Sequence, residues 1–281
     1  MNRLLFIIFT IIFLLLLNSD YIPILGNITQ KCYANPKISF ELNGNSYKYR
    51  GNYLQKGLMM TYDGKSLVGG ALGFGVPVIR EKGQHYFSSK GAILDSDYSM
   101  AKNFLIDTKM YKDNNDEWKF AKCDKLVGSI TVKYTILNNR IRILADLSAI
   151  GIDYDDVVMY NEQSGNSFPV YMGSSLSYIN NQNFGWSTIN NNCSEMFLDD
   201  VGYFLTDNKN IGFGVPCRNG AKLVRSRSDS GYYNHSGLHL VVTNGSKMFY
   251  YTIYYETPQN STKNWWEAIE KSHPLSKSKG K

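Results

Sequence analysis

The chain has 281 residues, of which 43% are hydrophobic and 19% charged, and its formal net charge is +6. This composition is that of a folded globular protein and excludes an intrinsically disordered one. The basic excess is small and lies partly in Lys277, Lys279 and Lys281 at the end of the chain, so nucleic acid is not an expected partner.

The N-terminal segment has the pattern of an export signal. Arg3 precedes an uninterrupted apolar run from Leu4 to Leu17, which is shorter than the roughly 20 residues that span a bilayer. We therefore predict a secreted, extracellular or cell-surface protein, which touches a membrane only if this segment is retained as an uncleaved anchor. Small residues suited to cleavage lie at Gly26 and Ala34, and the sequence leaves the choice between them open.

The cleavage site decides the cysteine arithmetic. Cutting after Gly26 leaves four cysteines, which permit two disulfides in three possible pairings. Cutting after Ala34 leaves three, of which one must stay free or pair with another chain. The four cysteines are Cys32, Cys123, Cys193 and Cys217.

Tight turns punctuate the rest of the chain. Asn43-Gly44, Asp63-Gly64, Asn138-Asn139 and Asn244-Gly245 can adopt the positive φ that two-residue hairpins require. Apolar residues alternate with polar ones on their flanks, as in half-buried strands. The flanking runs around Asn244-Gly245 are long, β-branched and aromatic, which gives this hairpin the strongest pattern. A fifth hairpin is predicted at Asp207-Asn208.

Helix is predicted only near the C-terminus, where Ser261 or Thr262 can cap a short segment. Nothing resembles alternating strand and helix units. The predicted fold is therefore all-β, a large antiparallel β-sandwich with one short C-terminal helix. The chain then divides into residues 1–34, the export signal and N-terminal lead, residues 35–259, the sandwich domain, and residues 260–281, the short helix and basic tail.

One internal repeat stands out, because the sequence GFGVP at residues 73–77 recurs letter for letter at residues 212–216. Glycines beside Val-Pro are typical of a strand that bends or bulges and then leaves the sheet edge. The repeat reflects either an internal duplication or chance in a glycine-rich chain, since the flanks do not align.

A family resemblance is carried by residues 132–148, VKYTILNNRIRILADLS. This stretch resembles the paired strands of galactose-mutarotase-like supersandwich domains, which occur in sugar epimerases, several glycoside hydrolases and polysaccharide lyases. The resemblance implies a large antiparallel sandwich with a concave, sugar-facing sheet. It maps no catalytic residue of that family onto this chain.

Residues 225–239, RSRSDSGYYNHSGLH, form the densest group of reactive side chains. Arg225 or Arg227 can hold a carboxylate in bidentate fashion while a tyrosine or histidine transfers a proton at a neighbouring sugar atom. In the alternative interpretation the segment is a polar surface loop that enters the following strand. The candidates for proton transfer, as base or acid, are His85, Tyr232, Tyr233 and His235.

Sugar contacts are predicted at arginines and at one tryptophan. Arg80 and His85 follow the first GFGVP copy and Arg218 follows the second, so His85 and residues 225–239 face one cleft if the copies occupy equivalent places. Trp186, in an Asn-rich stretch, offers a flat apolar face for a sugar or, alternatively, a core residue. The predicted substrate-binding residues are Arg80, Trp186, Arg218, Arg225 and Arg227.

No metal or other cofactor is expected. His235 and His239 are four residues apart, which on a strand places them on one side but about 13 Å apart, too far to share an ion. The acidic group at residues 153–156 lacks the loop of an EF-hand and is predicted to be a solvated turn.

These observations favour a secreted or surface-displayed β-sandwich that recognises a carbohydrate or polysaccharide, and that in its enzymatic form is a polysaccharide lyase, glycosidase or sugar epimerase. The alternative is a non-catalytic extracellular adhesion or structural domain. The first model needs most of His85, Trp186, Arg225 and His235 around one concavity, whereas the second scatters them over different faces. The sequence leaves the oligomeric state open.

Overall fold

The computed structural model describes residues 37–94, 100–172, 178–180, 183–191, 193, 201–230 and 233–255. All of them belong to one unit, Cys32–Lys281. Within these ranges no helix is found, and therefore none that is long and apolar enough to cross a membrane. The export segment, the predicted C-terminal helix and Tyr232 lie outside the described residues.

The described residues form 20 strands, which confirms the predicted all-β class. In chain order they are β1 (Ile38–Glu41), β2 (Ser46–Tyr49), β3 (Asn52–Gln55), β4 (Met59–Tyr62), β5 (Lys65–Ser66), β6 (Gly73–Glu81), β7 (Gln84–Leu94), β8 (Met100–Lys112), β9 (Trp118–Lys122), β10 (Gly128–Ile136), β11 (Arg140–Asp146), β12 (Asp156–Gln163), β13 (Val170–Met172), β14 (Tyr178–Asn180), β15 (Phe184–Asn190), β16 (Val201–Leu205), β17 (Gly212–Pro216), β18 (Ala221–Ser230), β19 (Tyr233–Thr243) and β20 (Met248–Tyr254).

One 15-stranded antiparallel sheet dominates the fold. Its order is β14-β13-β16-β17-β20-β11-β10-β8-β7-β6-β12-β19-β18-β15, with β9 added beside β8. The strands β1, β4 and β5 form a separate three-stranded sheet, and β2 and β3 pair only with each other. Every strand pair in the large sheet is antiparallel, as the sequence predicts for a sandwich.

The large sheet folds over on itself into two layers. Tyr251 of β20 donates a 2.8 Å hydrogen bond to Asn161 of β12, although these strands lie far apart in the strand order. Phe74 of β6 and Phe213 of β17 also meet, with ring centroids 5.3 Å apart. The apolar side chains of both layers therefore share one core, which is the packing of a β-sandwich.

Three of the predicted hairpins are confirmed. Asp63 and Gly64 join β4 to β5 with φ of 51° and 75°, the positive values that a two-residue turn requires. Asn138-Asn139 joins β10 to β11, and Asp207-Asn208 joins β16 to β17. In each case the flanking strands pair with each other directly across the turn.

Two predicted hairpins are wrong. After Asn43-Gly44 the chain does not return along β1, because β1 pairs with β4 and β2 pairs with β3. Around Asn244-Gly245, β19 pairs with β12 and β18 while β20 pairs with β11 and β17. β19 and β20 are both largely buried, so each needs hydrogen-bonded neighbouring strands along both of its edges. A turn residue reverses the chain without fixing which strands then pair.

The two GFGVP copies adopt different conformations. In the first, Gly75 has φ of +73° and donates its N–H to Asn161 Oδ1 at 3.0 Å, where the register with β12 shifts. The predicted bulge is therefore confirmed there. The second copy pairs with β16 without a register shift. Neither copy lies at a sheet edge, which corrects the predicted departure from the sheet: β6 lies between β7 and β12, and β17 between β16 and β20.

A disulfide links Cys193 to Cys217, with Cα atoms 5.5 Å apart. Cys123 is a free, half-buried thiol. Cys32 lies outside the described residues. The cross-link ties the segment that follows β15 to the end of β17, two strands that are not neighbours in the sheet.

Candidate functional site

A cavity of about 310 Å³ opens over one face of the β12-β19-β18 portion of the large sheet. The rest of its lining comes from the β2–β3 hairpin, from strands β7, β8, β9 and β15, and from Leu72, which directly precedes β6. Its aromatic lining residues are Tyr47, Tyr49, Phe87, Trp118, Tyr160, Phe184, Trp186 and Tyr233. Its polar lining residues are Glu162, Ser226, Arg227, Ser228 and His235.

Strand register places the central polar groups in one row. Glu162 of β12 lies opposite Gly237 of β19, which lies opposite Ser226 of β18. Side chains alternate between the faces of a strand, so Asn161 points from the opposite face into the core, where it bonds to Gly75 and Tyr251. The same strands therefore supply the core with one face and the cavity with the other.

Gly237 makes room at the centre of this row. A Cβ at this position would lie 2.6 Å from Cε1 and 2.8 Å from Nε2 of His239. The imidazole of His239 therefore occupies the space between Glu162 and Ser226 that a side chain at position 237 would take. This packing explains why a glycine lies in the middle of a buried strand.

Gly237→Ala is expected to destabilise the fold by about 1–3 kcal/mol, because the added methyl group must displace the buried His239 ring. The measurement is the free energy of unfolding in urea. Gly185→Ala is the matched control, since Gly185 also lies on a strand that lines the cavity but has open space where the methyl group would go. Equal stability of the two variants would contradict the packing described for His239.

Glu162 is fully buried and forms part of the cavity lining. The hydroxyl of Tyr233 donates to its Oε1, and the N–H of Leu72 donates to its Oε2 at 3.2 Å. Burial raises the pKa of Glu162 to about 7, although both hydrogen bonds act in the opposite direction. A carboxyl group with this pKa exists in both protonation states near neutral pH, as a general acid or base requires.

Two histidines converge on Ser226. Its Oγ lies 2.9 Å from Nε2 of His235 and 2.6 Å from Nε2 of His239. Burial and the charge of Arg227 lower the pKa of His235 to about 3, and burial also holds the pKa of His239 well below its usual value. Both rings are therefore neutral at neutral pH. Because Ser226 has one hydroxyl proton, it donates to one imidazole and accepts an N–H from the other.

This convergence corrects one sequence-based prediction. Spacing along an extended strand predicts that His235 and His239 lie about 13 Å apart, too far to share an ion. Their side chains instead lean toward each other and meet at Ser226, since the absent side chain of Gly237 leaves the path open. In the part of the chain that the structure describes, no group of three or more His, Cys, Asp or Glu side chains could hold a metal ion.

The β2–β3 hairpin covers the cavity and is anchored by a buried lysine. Tyr47 and Tyr49 lie with ring centroids 6.0 and 5.8 Å from that of Tyr233. Lys102 of β8 donates to the carbonyl oxygens of Asn43, at 3.0 Å, and Lys56, at 2.7 Å. These two residues flank the hairpin, so one ammonium group fixes both of its ends. Burial lowers the pKa of Lys102 to about 8.

The structure places four of the predicted site residues in the cavity lining, namely Trp186, Arg227, Tyr233 and His235. Tyr233 and His235 are adjacent, with ring centroids 4.0 Å apart. Trp186 stacks on His239 at 4.9 Å with an interplanar angle of 3°, yet is 46% exposed. The alternative interpretation of residues 225–239 as a surface loop is wrong. Residues 225–230 belong to β18 and residues 233–239 to β19, and these two strands pair with each other.

Arg80 and His85 lie next to the cavity rather than in its lining. Arg80 forms a two-point ion pair with Asp156, at 2.6 and 2.7 Å, and its guanidinium lies 5.9 Å from the Trp186 ring. His85 packs 5.3 Å from Trp118, and burial lowers its pKa. Both residues therefore support side chains that line the cavity.

Arg225 and Arg218 are outside the cavity lining. The guanidinium of Arg225 lies 4.2 Å from the Phe184 ring and 4.6 Å from the Tyr171 ring. Arg218 lies in the turn after β17, where its carbonyl oxygen accepts the N–H of Ala221 at 3.1 Å. Of the four residues that separate the two sequence-based models, Trp186 and His235 line the cavity, which is fewer than the three that the carbohydrate model requires. His85 packs against Trp118 and Arg225 against Phe184, so each of these two contacts a lining residue from outside the cavity.

The sequence matches no known family model and no curated protein. Solved structures similar to this chain include an alpha-N-acetylgalactosaminidase, NagBb from Bifidobacterium bifidum in complex with GalNAc, at 9% identity and a TM-score of 0.48. The match covers 82% of this chain and 39% of that one, so the chain spans well under half the length of that enzyme. Another is a putative aldose 1-epimerase from Escherichia coli K12, at 8% identity and a TM-score of 0.32, covering 76% of this chain and 99% of that one.

Sequence reasoning did not single out Glu162, Tyr160 or Ser226. Glu162 follows the apolar run Val157–Met159 in a segment whose polar letters resemble the start of a loop. The strand in fact continues through Gln163, and Asn161, Glu162 and Gln163 are all completely buried. The sequence did carry one signal for Glu162. Three polar residues, Asn161 to Gln163, directly follow the apolar part of this strand and precede the turn residues Ser164 and Gly165.

Proposed function

We propose that this chain binds a carbohydrate in the cavity over β12, β19 and β18, and that Glu162 transfers a proton to or from the bound sugar. The observation that carries the proposal is the buried carboxyl group of Glu162, whose pKa is raised to about 7 beside the hydroxyl of Tyr233. A strongly perturbed group in an apolar cavity with a few converging polar side chains is the usual arrangement of an active site.

The cavity lining supports a sugar as the ligand. Aromatic rings such as Trp186 and Tyr160 offer flat apolar faces to the C–H groups of a sugar ring, while Ser226 and Arg227 offer polar groups to its oxygens. The apolar run from Leu4 to Leu17 supports a place outside the cell, where polysaccharides are available.

The lining also favours one class of reaction. Hydrolysis of a glycosidic bond by the usual route needs two carboxyl groups on either side of the bond. Among the described lining residues, Glu162 is the single carboxyl group. Proton transfer of the kind used by an epimerase or a lyase needs one such group, and Arg227 can pair with the carboxylate of an acidic sugar. Epimerisation or elimination therefore fits this cavity better than two-carboxylate hydrolysis.

The test is calorimetric titration of the full chain with galactose and galacturonic acid, each as monomer, dimer and trimer. Trp186→Ala is expected to weaken binding at least about tenfold, equivalent to about 1.4 kcal/mol. Tyr250→Ala is the control, because Tyr250 is an aromatic residue of similar exposure, 44% against 46%, that does not line the cavity. Absence of binding in both series, or equal affinity of the Trp186→Ala variant and the parent, would overturn the proposal.

A further inference from the structure

A second cavity of about 430 Å³ lies beside the first. It is formed where the tip of the β2–β3 hairpin approaches the turn between β8 and β9. Its lining residues are Arg50, Asp116, Glu117, Trp118 and Lys119.

The two cavities are neighbours that share one lining residue. Trp118 lines both of them, with its ring held by His85 at 5.3 Å. Tyr49 lines the first cavity and the next residue, Arg50, lines the second, and the Arg50 guanidinium lies 5.6 Å from the Tyr49 ring. The Trp118 side chain thus lies between the two cavities and lines both of them.

The second cavity differs from the first in its chemistry. Its charged residues are of both signs, and Lys119 contacts Glu117 at 2.7 Å and Asp113 at 3.5 Å. An anion such as phosphate prefers cations alone, and an apolar group finds only Trp118. A sugar unit carries hydroxyl groups that both donate and accept, so it suits a mixed set of ammonium, guanidinium and carboxylate groups beside one aromatic ring.

We propose that the two cavities are consecutive subsites for an oligosaccharide, with the reacting unit beside Glu162 and the adjoining unit between Arg50 and Lys119. The inference rests on the proposed function and extends it, because it makes the substrate a chain of at least two sugar units rather than a free monosaccharide. Trp118, shared by both cavities, lies where the two units join.

The experiment compares the affinity for the monomer and dimer of the same sugar, galactose or galacturonic acid, by calorimetric titration of the full chain. The dimer is expected to bind at least about tenfold more tightly than the monomer. Lys119→Ala and Arg50→Gly are expected to remove most of that gain, because their side chains line only the second cavity. Glycine suits position 50, whose φ is 47°. Lys48→Ala is the control, since Lys48 is exposed on the same hairpin and lines neither cavity.

The outcomes separate the two proposals. Equal affinity for monomer and dimer, with monomer binding still lost in Trp186→Ala, would overturn the second subsite and leave the proposed function intact. If the dimer still binds more tightly than the monomer in both the Lys119→Ala and the Arg50→Gly variant, the second subsite is also overturned. If no sugar of either series binds, the proposed function fails and the second subsite fails with it.

Discussion

Glu162→Gln is expected to slow turnover of the bound sugar by about 10²–10⁴-fold, because glutamine keeps the shape of the side chain and cannot carry the proton. Sugar binding is expected to persist, since the aromatic lining is unchanged. The measurement is the turnover rate of a sugar that binds. For an epimerase, NMR spectra report proton exchange or the interconversion of anomers. For a lyase, absorbance reports the unsaturated product. Unchanged turnover in the variant would contradict the role given to Glu162.

The same variant has a signature in stability that is independent of the substrate. The pKa of Glu162 is about 7 in the folded chain against 4.5 for the ordinary group. The unfolded state therefore ionises first, and the parent loses stability as pH rises from 4.5 to 7. The stability of Glu162→Gln relative to the parent should increase by roughly 3 kcal/mol over that range and then level off. A constant difference between pH 4.5 and 8 in urea unfolding would contradict the raised pKa.

Acidification is expected to destabilise the fold through His235 and His239. The pKa of each histidine is lower in the folded chain than its usual 6.5, so their contribution is complete above pH 6.5 and is lost as pH falls. At pH 5 the loss should reach about 2 kcal/mol for His235, a large share of a typical total of about 5–15 kcal/mol, and protonation of His239 acts in the same direction. The measurement is the free energy of unfolding in urea at pH 7.5, 6.5 and 5, for the parent and for the His235→Asn and His239→Asn variants.

The comparison at pH 7.5 serves as the control, because both imidazoles are then neutral in the folded and the unfolded chain. Each asparagine variant should lose less stability than the parent between pH 6.5 and 5. The difference in unfolding free energy between each variant and the parent at pH 7.5 reports the packing contribution of the removed imidazole. Parallel curves for parent and variants across the whole range would mean that these histidines do not resist protonation, and that the paired contacts at Ser226 do not depend on neutral rings.

Local pattern was sufficient for the class of fold but not for its strand order. Alternation on either side of Asn138-Asn139 predicts the β10–β11 pair, and the structure has it. Asn244-Gly245 has a similar pattern, yet Asn244 donates its amide to the carbonyl oxygen of Tyr154 and the strands on either side enter different parts of the sheet. Pairing is decided by long-range burial of both faces, about which a turn dipeptide carries no information.

The candidate site was predictable where residue type alone indicates chemistry. Tryptophan can stack on a sugar and histidine can transfer a proton, so Trp186 and His235 are candidates by residue type alone, and both line the cavity. Glu162 does not, because its role depends on burial and on Tyr233, which is 71 residues away. Arg225 was expected to line the site on its residue type, and instead its guanidinium packs against Tyr171 and against Phe184, which is itself a lining residue.

The place of β20 in the sheet has a consequence for how the chain folds. It is the last described strand, and it lies between β17 and β11 near the middle of the order. β12, which carries Glu162, likewise lies between β6 and the late strand β19. Contacts between partners so distant in sequence form slowly, because long loops must close first. A nascent chain that ends before residue 233 has neither the finished core nor the row containing Glu162, so folding can be completed only after β19 and β20 have been synthesised.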